Sequence, residues 1–151
     1  MSEQRPTAQT RVLFICTANS SRSQMAEGLL RTGAGQTYEA FSAGTSPTHV
    51  RPEAITVMRE MGIDLSGHRS KSVDEFAGQA FDYVITVCDN ARETCPIFPA
   101  TTKRMHWNIE DPAAVQGPEE SRLAAYRRVR DELQQHVESF TRKHGVGQAR
   151  G

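Results

Sequence analysis

Short apolar runs and stretches of helical periodicity follow one another along the chain. Two largely apolar runs, typical of strands buried on both faces, occupy residues 11–16 and 81–88. Residues 38–42 and 103–107 are shorter strand candidates. Apolar residues recur at helical spacing over residues 22–32, 52–61 and 119–143, and glycines at 33 and 35 are predicted to end the first of these helices.

Strands that alternate with helices imply right-handed crossovers and a small parallel sheet. We therefore predict an α/β fold, a four-stranded parallel sheet with helices on both faces. One domain spans residues 11–143, with flexible tails at residues 1–10 and 144–151. Ligands of such folds bind beyond the carboxyl ends of the strands, where Cys16, Cys88 and the segment before Asp111 are predicted to meet.

Charge and composition exclude several classes of partner. Eighteen basic residues balance eighteen acidic ones, so we expect no binding to nucleic acid or to an anionic membrane. The amino terminus lacks an apolar signal-peptide core, and no run approaches the roughly 20 apolar residues that span a bilayer. We therefore predict a cytoplasmic protein. In that reducing compartment the three cysteines suit catalysis or metal binding better than a structural disulfide.

The segment between the first strand and the first helix contains the clearest candidate site. Cys16 and Arg22 enclose five residues, and such a loop can turn its backbone N–H groups inward around a tetrahedral oxyanion. Arg22 can add two parallel hydrogen bonds to the anion, and the positive field favours the Cys16 thiolate. The alternative is a buried structural cysteine beside an exposed arginine. The predicted oxyanion-binding residues are Thr17, Ala18, Asn19, Ser20, Ser21, Arg22 and Ser23.

Two further cysteines, Cys88 and Cys95, follow the third predicted strand. Thiols deliver two electrons by closing a disulfide, so the pair suits a reduction, whereas phosphate hydrolysis needs only one nucleophilic cysteine. Taken alone, Cys88 can equally be a core residue and Cys95 a bystander thiol. A zinc site is a third reading, although CxxC and paired histidines are missing from the sequence. Asp111 is a candidate general acid or a simple turn residue, with Glu110 as its neighbour.

The segment from Val12 to Gly28, VLFICTANSSRSQMAEG, resembles the low-molecular-weight tyrosine phosphatase superfamily, and most closely its thioredoxin-coupled arsenate reductases. The resemblance covers residues 11–142 and includes segments 42–44, 62–68 and 107–112. It implies arsenic detoxification by a cascade in which Cys16 attacks arsenate, Cys88 attacks Cys16 and releases arsenite, and Cys95 closes a disulfide with Cys88. Thioredoxin is the implied electron donor, and Asp111 matches the general acid of the superfamily. We expect a monomer without a cofactor.

Several positions bear on which branch of the superfamily the chain resembles. Gln24 stands where the phosphatases usually have proline, and Ala113 where they usually have a tyrosine that binds aryl substrates. Both differences point away from a phosphatase. Ala18 replaces a frequent glycine and Ser21 a frequent cysteine, which are small changes that leave room for an oxyanion. Two rivals remain: a low-molecular-weight protein tyrosine phosphatase, and a non-catalytic redox sensor that binds an oxyanion.

Some reductases of the family hold a potassium ion near the loop. Three of the ligand positions match Asn19, Glu27 and Ser42, but the fourth is Lys71. We expect the Lys71 ammonium to replace the cation, and we predict no bound metal. His68 is expected to make local contacts and not to catalyse.

Overall fold

The computed structural model describes residues 9–87 and 101–144 of the 151-residue chain. Its strands are β1 (Thr10–Cys16), β2 (Tyr38–Gly44), β3 (Tyr83–Thr86) and β4 (Lys103–His106). They form one parallel sheet in the spatial order β2-β1-β3-β4, so the predicted four-stranded parallel sheet is confirmed. β4 ends one residue before the predicted position.

Within the described ranges, three α-helices accompany the sheet: α1 (Arg22–Ala34), α2 (Pro52–Arg59) and α3 (Glu119–His144). α1 continues past Gly33, which was predicted to end it. A glycine costs a helix only about 1 kcal/mol relative to alanine, and the burial of Leu29 and Leu30 on the same helix outweighs that cost. α2 ends two residues earlier than predicted, and Gly62, with φ of 79°, redirects the chain after it.

β3 is shorter than the strand predicted over residues 81–88. Phe81 lies outside the ladder, where its ring packs against Phe41 and Phe76 at centroid distances of 5.4 and 5.7 Å. The Asp82 carboxylate accepts a hydrogen bond from the backbone N–H of Arg11 at 2.8 Å. Backbone hydrogen bonds of 2.9 Å still join Asp82 to Arg11 and to Lys103, so these side-chain contacts add to the pairing with β1 and β4 just before β3 begins.

Helical structure covers both faces of the sheet. Successive strand residues point to opposite faces, and on one face the ring of Tyr38 packs against Phe140 of α3 at 5.4 Å. On the other face, the ring of Phe41 packs at 5.7 Å against Phe76 in a 3-10 turn, Val73–Phe76. The apolar positions predicted at helical spacing in α3 form its buried side, where Leu123 is partly buried and the others are buried: Tyr126, Val129, Leu133, Val137 and Phe140.

The centre of the sheet positions the candidate site. Residues 12–15 of β1 are fully buried and pair with both β2 and β3. At the carboxyl end of β1, Cys16 pairs in register with Gly44 of β2. The chain leaves β1 at this point and enters α1 only six residues later. Cys16 is therefore fixed by a central strand at the edge of the sheet where such folds bind ligands.

Some predictions lie outside the described residues. Among them are Cys88, Cys95, the loop between them and most of the two predicted tails. Thr10 and His144 belong to β1 and α3, so each predicted tail was one residue too long. Within the described part of the chain, no helix combines the length and the apolar character needed to cross a bilayer.

Candidate active site

The loop of residues 17–21 joins β1 to α1, and its carbonyl groups all have hydrogen-bond partners outside the loop. The carbonyl oxygens of residues 16, 17, 18 and 20 accept hydrogen bonds of 2.8–3.3 Å from backbone N–H groups. Those four donors belong to the segment that follows β2: Thr45, Ser46, Thr48 and Arg51. The fifth carbonyl of residues 16–20, that of Asn19, accepts from the Ser70 hydroxyl at 2.7 Å and from the Gln24 amide at 3.2 Å.

This arrangement determines where the N–H groups of the loop point. In a trans peptide the N–H lies antiparallel to the preceding C=O, and no peptide bond in the described ranges is cis. Because the five carbonyls of residues 16–20 point to outside partners, the N–H groups of residues 17–21 point the opposite way. They lie just before the amino terminus of α1, where the helix dipole favours negative charge. N–H groups placed in this way can bind a tetrahedral oxyanion.

Two residues make this tight loop possible. Asn19 has a φ of 51°, and asparagine tolerates this left-handed conformation better than most residues. Gly44 lies against the loop from β2. A Cβ atom at Gly44 would lie 2.6 Å from the Thr17 carbonyl oxygen and 2.9 Å from the Asn19 nitrogen, both of them backbone atoms. The loop can approach β2 this closely only because Gly44 has no side chain.

Cys16 is buried at the base of the loop, with 2% of its surface exposed. Its Sγ lies 3.2 Å from the Oγ of Ser23, and that hydroxyl accepts a hydrogen bond of 2.8 Å from the Asn19 amide. A hydroxyl that donates to sulfur stabilises the thiolate, which is the nucleophilic form of cysteine. Ser23, at the start of α1, is thus in direct contact with the candidate nucleophile.

Arg22 and Asp111 come together at the opening of the loop. Nη1 of Arg22 donates to the Ile109 carbonyl at 3.0 Å, and Nη2 lies 3.7 Å from Oδ2 of Asp111. The Asp111 carboxylate also accepts from the N–H of Ala113 at 2.9 Å, so it caps the short turn that begins at Pro112. The structure thus places the candidate acid next to the candidate anion-binding arginine, although the two are far apart in the sequence.

The predicted cation position is organised differently from our expectation. Glu27 is buried and accepts a hydrogen bond from Ser42, but the cation paired with it is Arg31. Residues four apart on a helix lie on the same side, which brings Arg31 of α1 to Glu27. Lys71 instead donates from Nζ to the Arg69 carbonyl at 3.0 Å, and burial lowers the pKa of its ammonium. Across the described ranges, no cluster of three or more acidic, histidine or cysteine side chains could hold a metal ion.

The residues that contact the loop from other segments of the chain are not predictable from the sequence. No sequence pattern near the loop indicates these contacts, because each of them joins residues more than 20 positions apart. They involve the backbone donors of residues 45–51, the Ser70 hydroxyl and Gly44. From the sequence, Gln24 is only a difference from the phosphatases, and His68 is expected to make local contacts. The Oε1 of Gln24 in fact lies 2.8 Å from Nδ1 of His68.

Comparison with known proteins agrees with this geometry. The chain matches the family of low molecular weight phosphotyrosine protein phosphatases over residues 11–148. The arsenate reductase of Bacillus subtilis is 40% identical over 129 residues, which are 85% of this chain and 93% of that protein. A solved structure of an arsenate reductase in the phosphate binding state superimposes with a TM-score of 0.72 at 32% identity, over 89% of this chain and 98% of the other.

A thioredoxin-dependent arsenate reductase of Corynebacterium glutamicum superimposes with a TM-score of 0.64 at 28% identity, over 89% of this chain and 64% of that one. The fold predicted from the resemblance is therefore correct. The chain belongs to the low-molecular-weight phosphotyrosine protein phosphatase family, and within that family to the arsenate reductases.

Proposed function

We propose that this protein reduces arsenate to arsenite by covalent thiol chemistry at Cys16. The observation that carries the proposal is the outward orientation of the five carbonyls of residues 16–20, which turns the N–H groups of residues 17–21 away from those partners, between Cys16 and Arg22. A tetrahedral oxyanion at that point meets several N–H donors, the Arg22 guanidinium and a nucleophile. The kinship with arsenate reductases supports arsenate as the anion.

The first step forms a bond between sulfur and arsenic. The Cys16 thiolate attacks the arsenic atom, and one arsenate oxygen leaves as water after protonation, for which Asp111 is the proposed proton donor. Arg22 balances the negative charge on the remaining oxygens. The position of the Asp111 carboxylate, 3.7 Å from Nη2 of Arg22, supports this role.

The second step is the reduction itself. The Cys88 thiolate attacks the Cys16 sulfur, a disulfide forms between them, and the electron pair of the sulfur–arsenic bond leaves with arsenic as arsenite. Cys95 then attacks Cys88 and frees Cys16, so two thiols end as one disulfide and supply the two electrons. Both residues lie outside the described part of the chain, and their roles rest on the family's three-thiol cascade.

Regeneration requires an external dithiol. We propose thioredoxin, because the chain has an internal pair, Cys88 and Cys95, to present as a disulfide, and because a relative of this fold is thioredoxin-dependent. The same requirement supports the cytoplasm as the location, since that compartment keeps thiols reduced. Neither a cofactor nor a metal has a role in these steps, and the proposed enzyme works as a monomer.

A protein tyrosine phosphatase is the second candidate, because the family model is that of phosphotyrosine phosphatases. The oxyanion loop, Cys16, Arg22 and Asp111 would suffice for hydrolysis of a phosphate ester. However, the small side chain of Ala113 stands next to the acid loop and offers no aromatic surface for an aryl substrate. We therefore expect weak phosphatase activity beside arsenate reduction.

The test is thioredoxin-coupled oxidation of NADPH with arsenate, for the wild type and for Cys16→Ser, Cys88→Ser and Cys95→Ser. We expect multiple turnovers only for the wild type, and no reaction at all for Cys16→Ser. Hydrolysis of an aryl phosphate is measured in parallel. Full turnover by either Cys88→Ser or Cys95→Ser would refute the cascade. Phosphate-ester turnover far above arsenate turnover would favour the phosphatase.

A further inference from the structure

The acid loop, residues 109–113, is bound by arginines from two different helices. Arg22, the first residue of α1, donates from Nη1 to the Ile109 carbonyl at 3.0 Å. Arg128 of α3 forms an ion pair with Glu110, the residue directly before Asp111. We infer that Arg128 is a positioning residue that holds the Asp111 carboxyl in place through Glu110. This inference rests on the role of Asp111 as the proton donor in the proposed function.

The pair between Arg128 and Glu110 is a two-point contact. Nη2 of Arg128 lies 2.8 Å from Oε2 of Glu110, and Nε lies 3.3 Å from Oε1. Hydrogen bonds to both carboxylate oxygens fix the orientation of the carboxylate as well as its distance. The helix that carries Arg128 is held in the core by its buried side, including Val129. The contact therefore ties the acid loop to a well-packed element.

The backbone passes this restraint on to Asp111. Neighbouring residues share one planar peptide unit, so the position of Glu110 limits that of Asp111. The Asp111 side chain itself is 49% exposed and has only two contacts, the N–H of Ala113 at 2.9 Å and Nη2 of Arg22 at 3.7 Å. An exposed ion pair such as that of Glu110 stabilises a fold little. A shift of about 1 Å at a reacting group, however, can lower a rate roughly 100-fold.

Arg22 cannot give the acid loop the same constant support. In the proposed reaction its guanidinium also binds the oxyanion, so the substrate and the acid loop share one side chain. In the described part of the chain, Arg128 makes hydrogen bonds to Glu110 alone. Arg122, also of α3, donates to the Gly117 carbonyl at 2.7 Å, a few residues beyond the acid loop. α3 can therefore hold this segment whether or not the oxyanion is bound.

The same pair gives the two neighbouring carboxyl groups different roles. The hydrogen bond from Arg128 lowers the pKa of Glu110, so this carboxylate is ionised at neutral pH. In that form it has no proton to give to a leaving oxygen. Glu110 thus orients the loop, and Asp111 is left as the proton donor.

The experiment measures the first release of arsenite after full-length, pre-reduced enzyme is mixed rapidly with arsenate, without thioredoxin. Asp111→Asn sets the scale and should slow this release by about 100-fold or more. Arg128→Gln and Glu110→Gln should each slow it about 2- to 5-fold, the equivalent of one exposed ion pair. The double variant should be no slower than either single one, because both changes remove the same contact.

Two further readouts distinguish positioning from a general loss of structure. In an Asp111→Asn background, Arg128→Gln should cause no additional loss, since the group that it positions is already gone. The inhibition constant for phosphate should be the same in Arg128→Gln as in the wild type, because the oxyanion loop remains intact. A loss of phosphate binding as large as the loss of rate would contradict a role through Asp111.

Arg127→Gln is the matched control. It removes the same charge from the same helix, and from a comparably exposed pair, but the partner is Glu60, just after α2. Its rate should equal that of the wild type. A wild-type rate in Arg128→Gln beside a slow Asp111→Asn would overturn the inference alone, as would an equal loss in Arg127→Gln. A wild-type rate in Asp111→Asn would refute the proton donor of the proposed function, and the inference with it.

Discussion

Glycine occurs both where the active-site loop requires it and where the chain merely tolerates it. At Gly44 an added Cβ would lie 2.6 Å from a backbone oxygen of the loop, whereas at Gly33 of α1 it would meet no atom within 4 Å. Backbone atoms cannot turn aside as flexible side chains do. The two positions therefore offer a matched pair of substitutions.

We expect Gly44→Ala to displace the oxyanion loop, with at least a tenfold loss of kcat/KM for arsenate, because such a displacement misplaces several N–H donors at once. Gly33→Ala should keep full activity and stabilise the fold by roughly 0.5 to 1 kcal/mol through helix propensity. Steady-state kinetics and urea unfolding measure both effects. Equal activity of the two variants would show that the close contact between Gly44 and the loop backbone is not needed for activity.

At the scale of elements, α3 reaches the oxyanion loop through one side chain. The Ser21 hydroxyl lies 3.3 Å from the hydroxyl of Tyr126, and both residues are buried. A second buried tyrosine, Tyr38, has no hydrogen-bond partner for its hydroxyl among the described residues, and burial raises its pKa to about 12. The carboxy-terminal helix thus supports the loop as well as the core.

We predict that Tyr126→Phe raises the KM for arsenate by about 2- to 10-fold, the equivalent of one neutral hydrogen bond. Tyr38→Phe is the control, because it removes a hydroxyl of equal size that bonds to nothing described. A double mutant of Ser21→Ala with Tyr126→Phe should be no worse than either single mutant, since both remove the same contact. Additive effects, or a Tyr38→Phe variant as impaired as Tyr126→Phe, would contradict this view.

The same scale shows where sequence patterns are informative. The strands and helices are predictable because their burial follows a pattern along the chain, an unbroken apolar run in β1 and apolar residues at helical spacing in α3. Their ends are not, because local signals compete with packing. α1 continues past Gly33, and Phe81 lies outside β3, where its ring packs against Phe41. Neither outcome has a signature within the few residues concerned.

At the scale of the whole molecule, part of the candidate site is predictable from the sequence and part is not. Cys16, Arg22 and Ser23 are predictable from one short segment with a buried strand before it and a helix after it. Their supports come from segments 45–51 and 68–71, which the fold brings against the loop. Arg31 pairs with Glu27 because the two residues lie four apart on α1, a contact that a comparison of ligand positions does not include.

If the loop of residues 17–21 binds an oxyanion as proposed, the bound anion stabilises the folded protein. Phosphate has the size and charge of arsenate, and at 100 times its dissociation constant a ligand of the folded state adds about 2.7 kcal/mol to the free energy of unfolding. For a chain of this length the melting temperature should rise by roughly 5–10 °C. Differential scanning calorimetry in phosphate is compared with chloride at equal ionic strength. A similar rise in chloride would mean that general screening, and not the loop, is responsible.

The segment of residues 45–51 holds the loop through main-chain N–H groups at positions 45, 46, 48 and 51. Main-chain donors are supplied by every residue type except proline. Pro47 stands at a position from which no such bond is made. The side chains of residues 45–51 can therefore change over evolutionary time, and with them the exposed surface of this segment, without loss of the four main-chain hydrogen bonds to the loop.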